Sequence, residues 1–85
     1  MIKMYIKPWC PYCVAAEDLL KELEIQTEII DIYYDSEFKS KLFEISEFMT
    51  FPQIFVKEVT KENLIWGYSE LRDLDRSGEL LGRVI

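Results

Sequence analysis

The stretch Met1-Ile2-Lys3-Met4-Tyr5-Ile6-Lys7-Pro8-Trp9-Cys10-Pro11-Tyr12-Cys13 decides how this chain folds. Its first six residues alternate, with Ile2, Met4 and Ile6 on one side and Lys3 and Tyr5 on the other, which is the period of a strand. A different period begins at Pro11. From Pro11 to Leu23 the apolar residues Ala16, Leu19, Leu20 and Leu23 share one helical stripe, while Glu17, Lys21 and Glu22 face away. Pro11 suits the first helical position, where a missing N–H costs nothing. Cys10 and Cys13 therefore stand where a strand hands over to an amphipathic helix.

That position has chemical consequences. The first N–H groups of a helix lack internal partners, and the helix dipole is positive there. Both effects favour a thiolate over a thiol and lower the pKa of a cysteine so placed. Lys7 adds a positive charge nearby. Cys10, just ahead of the helix, is expected to be exposed and to attack a substrate disulfide. Cys13, covered by the first turn, would then attack Cys10 and release the reduced product. About one random placement of two cysteines in forty gives this spacing in a chain of this length, and the strand–helix context makes chance or inert packing a poorer account still. A structural zinc site wants four Cys/His ligands. With two cysteines and no histidine, no metal site is expected within the chain.

Outward from this segment the elements follow in order. Thr27–Ile32 is β-branched and reads as a second strand. Asp35 or Ser36 can cap a helix in which Phe38, Leu42 and Ile45 recur on one face. Pro52–Val56 and Leu64–Trp66 read as two short strands joined by the polar hairpin loop Lys57–Asn63. Ser69 can cap a third helix carrying Leu71 and Leu74, which Gly78 can end. A final helical piece would set Leu80, Leu81 and Val84 against the core. The order β-α-β-α-β-β-α predicts an α/β fold with a four-stranded mixed sheet and helices on both faces.

Composition narrows the partners. The chain has 85 residues, 49% of them apolar, enough for one modest core, so residues 1–85 are expected to form a single domain. Sixteen Asp and Glu against ten Lys and Arg give a net charge of −6. No basic stripe marks a nucleic-acid binder, and an acidic surface disfavours anionic membranes and self-association, so a monomer is expected. No apolar run approaches a membrane span, and the first residues alternate too much for a signal peptide. A cytoplasmic location is expected, where thiols stay reduced and a cysteine pair serves redox chemistry.

At this point the chain resembles the glutaredoxins, which have the thioredoxin-like fold. Lys7-Pro8-Trp9-Cys10-Pro11-Tyr12-Cys13 is similar to their dithiol active-site segment. Thr50-Phe51-Pro52-Gln53-Ile54-Phe55-Val56 is similar to the segment that carries their cis-proline. Ile65-Trp66-Gly67-Tyr68-Ser69-Glu70-Leu71 falls where they have a glycine pair and a polar helix start, and Leu74-Asp75-Arg76-Ser77-Gly78-Glu79-Leu80 resembles their C-terminal stretch. The resemblance implies an enzyme that reduces protein disulfides and glutathione mixed disulfides through Cys10 and Cys13. Glutathione would be the co-substrate, with no bound cofactor. It also implies a binding set. Lys7 would pair with the glycine carboxylate, and Phe51 beside Pro52 would hold the cysteinyl part by backbone pairing. Ser69 and the helix start would take the γ-glutamyl carboxylate, Glu70 the ammonium, and Tyr12 would flank the sulfur.

The chain departs from this pattern in three places. Trp66-Gly67 replaces the glycine pair, so Trp66 must adopt backbone angles that glycine favours. Phe48 and Met49 stand where an arginine or glutamine is often found, which shifts carboxylate binding onto Lys7. The Lys57–Asn63 loop is roughly four residues longer than the usual short turn. Two other readings follow. One is a thioredoxin-like protein reductant fed by a flavoprotein reductase, for example a donor to ribonucleotide reductase, favoured if Phe48 and Trp66 are exposed. The other is an iron–sulfur carrier in which Cys10 and external glutathione bridge two subunits; Pro11 resembles the redox members instead.

Overall fold

Strand β1 (Ile2–Ile6) lies inside the sheet, and its neighbours set the fold. The computed structural model describes residues 2–84, so Met1, the expected start of this strand, lies outside the described residues. Helix α1 (Pro11–Glu22) crosses to β2 (Thr27–Asp31), which pairs parallel with β1 from Ile2↔Thr27 to Ile6↔Asp31. Helix α2 (Ser36–Ser46) leads to β3 (Gln53–Val56), antiparallel to β1 on its other side. Strand β4 (Leu64–Trp66) closes the order β2-β1-β3-β4, antiparallel to β3. Helices α3 (Tyr68–Ser77) and α4 (Leu80–Val84) follow. The mixed four-stranded sheet agrees with the expectation. The loop before β4 contains a single 3-10 turn at Lys61–Asn63, and its Lys61 ammonium pairs with the Glu47 carboxylate at the end of α2. The β3–β4 register slips between Ile54↔Trp66 and Phe55↔Leu64, so Ile65 is the extra residue of a bulge.

Each sheet face has its own core. On one face Ile2, Met4, Ile54, Val56 and Ile65 meet Ala16 and Leu20 of α1, Leu71 of α3 and Leu80 of α4. On the other, Tyr5, Phe55 and Leu64 meet Ile32, just past the end of β2, and Leu42 of α2, with Phe48 and Phe51 packed alongside. Each fully buried Leu, Ile or Phe here contributes about 1.5–3 kcal/mol relative to exposure. Tyr5 departs from the alternation read in the sequence: it is buried, because an inner strand is covered from both sides. Burial, with Glu28 adding to it, pushes its phenol above the ordinary value of 10.0.

The helix ends are mostly where the sequence places them. Asp35 caps α2 by accepting the Phe38 N–H at 3.0 Å. Gly78, in the left-handed region at φ +80°, ends α3. Two expectations need correction. Ser69 does not cap α3; Gly67 is the cap residue, and the Glu70 carboxylate accepts the Gly67 N–H at 3.0 Å. Of the apolar residues expected on α2, only Leu42 is buried, while Phe38 and Ile45 stay partly in solvent because a single helix covers that face. Leu81 is likewise exposed, since α4 is one short turn and only Leu80 and Val84 reach the core.

Candidate active site

The turn after β1 carries Trp9 in the left-handed region, at φ 54°, and then delivers Cys10 as the N-cap of α1. Pro11 occupies the first helical position, and the Val14 N–H closes the first helical bond onto the Cys10 carbonyl at 3.1 Å. In this frame the Cys10 Sγ accepts the Cys13 N–H at 3.2 Å. A sulfur thus replaces the hydroxyl or carboxylate that usually satisfies a helix's first donors. The same N–H stabilises negative charge on that sulfur once it is reduced.

Cys10 and Cys13 form a disulfide, with Cα atoms 5.2 Å apart. The two sulfurs are not equivalent. Cys10 lines a cleft of about 590 Å³, and Cys13 is not among the lining residues. The expectation that Cys10 is exposed needs correction, since it is only 6% exposed, against 3% for Cys13. The N-cap geometry tucks its sulfur under the first turn, with the Phe51 carbonyl oxygen 3.8 Å away on the cleft side. It is a lining residue of the cleft.

The cleft gathers the other residues singled out in the sequence. Lys7, Tyr12, Phe51, Pro52, Ser69 and Glu70 all line it together with Cys10. The Phe51–Pro52 peptide bond is cis. Lys7 is the one cation of the lining and Glu70 the one carboxylate. Lys7 makes no ion pair among the described residues, whereas one Glu70 oxygen is engaged by the Gly67 N–H. Ser69 sits in the first turn of α3, beside backbone donors that suit an anion. The Tyr12 ring lies 6.3 Å from that of Tyr68, which links the start of α1 to the start of α3. Trp9, at 88% exposure, covers nothing; it stands free at the rim.

Two features were not read from the sequence. Gln53 is fully buried, and its Nε2 donates to the carbonyls of Phe48 at 2.9 Å and Thr50 at 3.2 Å. It clamps the segment that leads into Phe51 and Pro52. A polar residue opening an otherwise apolar strand was the available signal, because a buried amide must find partners. The other is the far wall of the cleft. Trp66 takes φ 92°, and its ring stacks on Phe48 with centroids 5.1 Å apart. The replaced glycine pair announced the backbone angle, but the stack needed the fold.

Comparisons with known proteins agree with this geometry. The glutaredoxin family profile matches residues 2–60. Human glutaredoxin-1 is 34% identical over 89 residues, spanning 98% of this chain and 80% of that one. The solution structure of a glutaredoxin from Brucella melitensis is 31% identical and superposes with a TM-score of 0.81, covering 98% of this chain and 86% of that one. A buckwheat glutaredoxin solved as a glutathione complex shares the fold at 19% identity and a TM-score of 0.83, covering 98% of this chain and 74% of that one. Similarity of this extent, carried on a sulfur pair that the fold itself prepares for exchange, makes the chain a member of the glutaredoxin family and a thiol–disulfide oxidoreductase.

Proposed function

We propose that the enzyme is glutathione-dependent and reduces protein disulfides and glutathione mixed disulfides. The observation that carries this reading is the placement of Lys7, Ser69 and Glu70 around one cleft with Cys10 at its edge. Glutathione has two carboxylates and one ammonium. Lys7 meets the glycine carboxylate, the start of α3 with Ser69 meets the γ-glutamyl carboxylate, and the second oxygen of Glu70 meets the ammonium. Phe51 and Pro52 pair with the cysteinyl backbone, and Tyr12 borders the sulfur. The Cys10 thiolate attacks a substrate disulfide and a mixed disulfide forms as the first thiolate leaves. The Cys13 thiolate then attacks the Cys10 sulfur, the internal disulfide closes, and the second substrate sulfur leaves as a thiolate with the electron pair of the broken bond and takes up a proton. Two glutathiones restore the dithiol and become oxidised glutathione. Such a cycle runs where thiols are kept reduced, so the reading includes a cytoplasmic location, and the net charge of −6 favours a monomer.

A second reading keeps the chemistry and changes the donor to a flavoprotein reductase. The observation behind it is the exposed Trp66 on Phe48, which offers a polypeptide more contact than a tripeptide uses. One assay separates the two: reduction of a small mixed disulfide driven by glutathione with glutathione reductase, then by thioredoxin reductase alone. Turnover only in the second arm overturns glutathione dependence. Cys10→Ser abolishes both activities, and Cys13→Ser keeps deglutathionylation while losing reduction of protein disulfides. A fully dead Cys13→Ser with an active Cys10→Ser reverses the roles.

A further inference from the structure

Phe48, Met49 and Trp66 form a charge-free wall of the cleft that opens onto Cys10. Trp66 remains 43% exposed and Met49 75% exposed. The wall is held in place from behind. The Phe48 carbonyl accepts from buried Gln53 at 2.9 Å and from the buried Ser46 hydroxyl at 3.2 Å. Trp66 keeps its ring over Phe48 although its backbone sits at φ 92°, a conformation bulky residues avoid. Strain held at a site by firmly placed neighbours is a mark of function. Glutathione has no apolar side chain to cover such a wall. A cysteine-bearing polypeptide does, if an apolar residue flanks its half-cystine.

We propose that Trp66, stacked on Phe48, is a specificity-determining residue that selects polypeptide disulfides with an aromatic or large apolar residue next to the half-cystine, in a segment of net positive charge. The inference rests on the cleft as the place where substrate disulfides reach Cys10, and it does not require glutathione as the donor. The charge preference follows from the molecule's own balance of sixteen acidic against ten basic residues, whose field slows anionic segments and draws in cationic ones. In the exchange, the Cys10–Cys13 dithiol supplies two electrons. The substrate disulfide is reduced to two thiols while the protein's own disulfide closes.

The test is single-turnover reduction by pre-reduced protein, with no donor present, so that failure of the glutathione reading leaves the readout intact. The probes are two short lysine-bearing peptides, each joined through its one cysteine to 2-mercaptoethanol, with Trp or Ser beside the cysteine. Wild type reduces the Trp peptide roughly five- to tenfold faster, the scale of one aromatic contact. Trp66→Gly, which restores the residue type its backbone favours, brings that ratio to within about twofold. Phe48→Leu keeps the core filled, removes the stack and at least halves the ratio. Exchanging the lysines for glutamates slows the reaction at low salt, and the difference shrinks as salt is added. Equal rates for the two peptides in wild type, or an unchanged ratio in both variants, overturn the proposal. Equal rates for basic and acidic peptides at low salt overturn its charge preference.

Discussion

Replacing Gln53 by glutamate tests whether the clamp behind the cleft is as closed as its geometry says. The side chain is fully buried, its Nε2 faces two carbonyl oxygens, and its Oε1 has no hydrogen-bond partner among the described residues. Glutamate has the same shape but only one proton to offer, and only when neutral. At low pH the neutral acid keeps one of the two hydrogen bonds, so the loss is about 1 kcal/mol. At neutral pH the folded protein must either hold a buried carboxylate against two carbonyls or keep the group protonated. The second choice is the cheaper one, and its cost is set by the distance from the unfolded pKa. That distance is about 2.7 pH units between the ordinary glutamate value of about 4.3 and pH 7, at about 1.36 kcal/mol each, giving about 3.7 kcal/mol. The folded pKa is raised, so the variant is near its best below pH 4 and loses stability as pH rises through the unfolded value. Urea unfolding of wild type and Gln53→Glu at pH 4 and pH 7 measures this directly. The difference between them should grow from about 1 to about 4–5 kcal/mol, a large share of what a domain of this size possesses. A difference that stays constant with pH refutes the reasoning, because it means water reaches residue 53 and the segment before Pro52 is held by something else.

Three further outcomes follow. In the reduced protein, thiolate absorbance assigned with Cys13→Ser should show Cys10 titrating below the roughly 8.5 of a free cysteine, since the Cys13 N–H meets its sulfur; a midpoint at or above that value removes the helix-cap argument. Lys7→Gln should raise the KM for glutathione roughly two- to fivefold with kcat kept, the range of a solvent-screened ion pair, and an effect confined to kcat would place Lys7 elsewhere in the reaction. The raised Tyr5 phenol, caused by burial and then Glu28, makes stability fall as pH rises through the unfolded tyrosine value of about 10. Tyr5→Phe should lessen that fall in alkaline denaturation.

Much of this is legible in the sequence alone. The strand period of Ile2–Ile6, the helical stripe after Pro11 and the two sulfurs between them were enough to locate the chemistry, because local periodicity and helix-end electrostatics are properties of short segments. The residues misread are those whose state depends on packing from elsewhere in the chain or on backbone angles that periodicity does not report. Tyr5 looked like the polar side of a half-exposed strand until β2 and β3 enclosed it. Ser69 looked like a cap, but a cap is defined by backbone angles, and Gly67 takes them with Glu70 reaching back to its N–H. Ile45 shares the apolar period of α2, yet one helix on that face has no neighbour to bury it. Gln53 was invisible as a clamp because its partners, Phe48 and Thr50, belong to a loop without any periodicity of its own.

The slipped register at Ile65 bears on how the sheet ends. An outer strand offers a row of free N–H and C=O groups to any other extended chain, a hazard that proteins blunt by shortening, bending or charging such strands. Here β4 is three residues long and bent by its extra residue, while β2 carries Glu28 and Asp31. Neither border is a good template for another strand, so a polypeptide is steered away from the flanks of the sheet and left with the sulfur-bearing end as its point of approach.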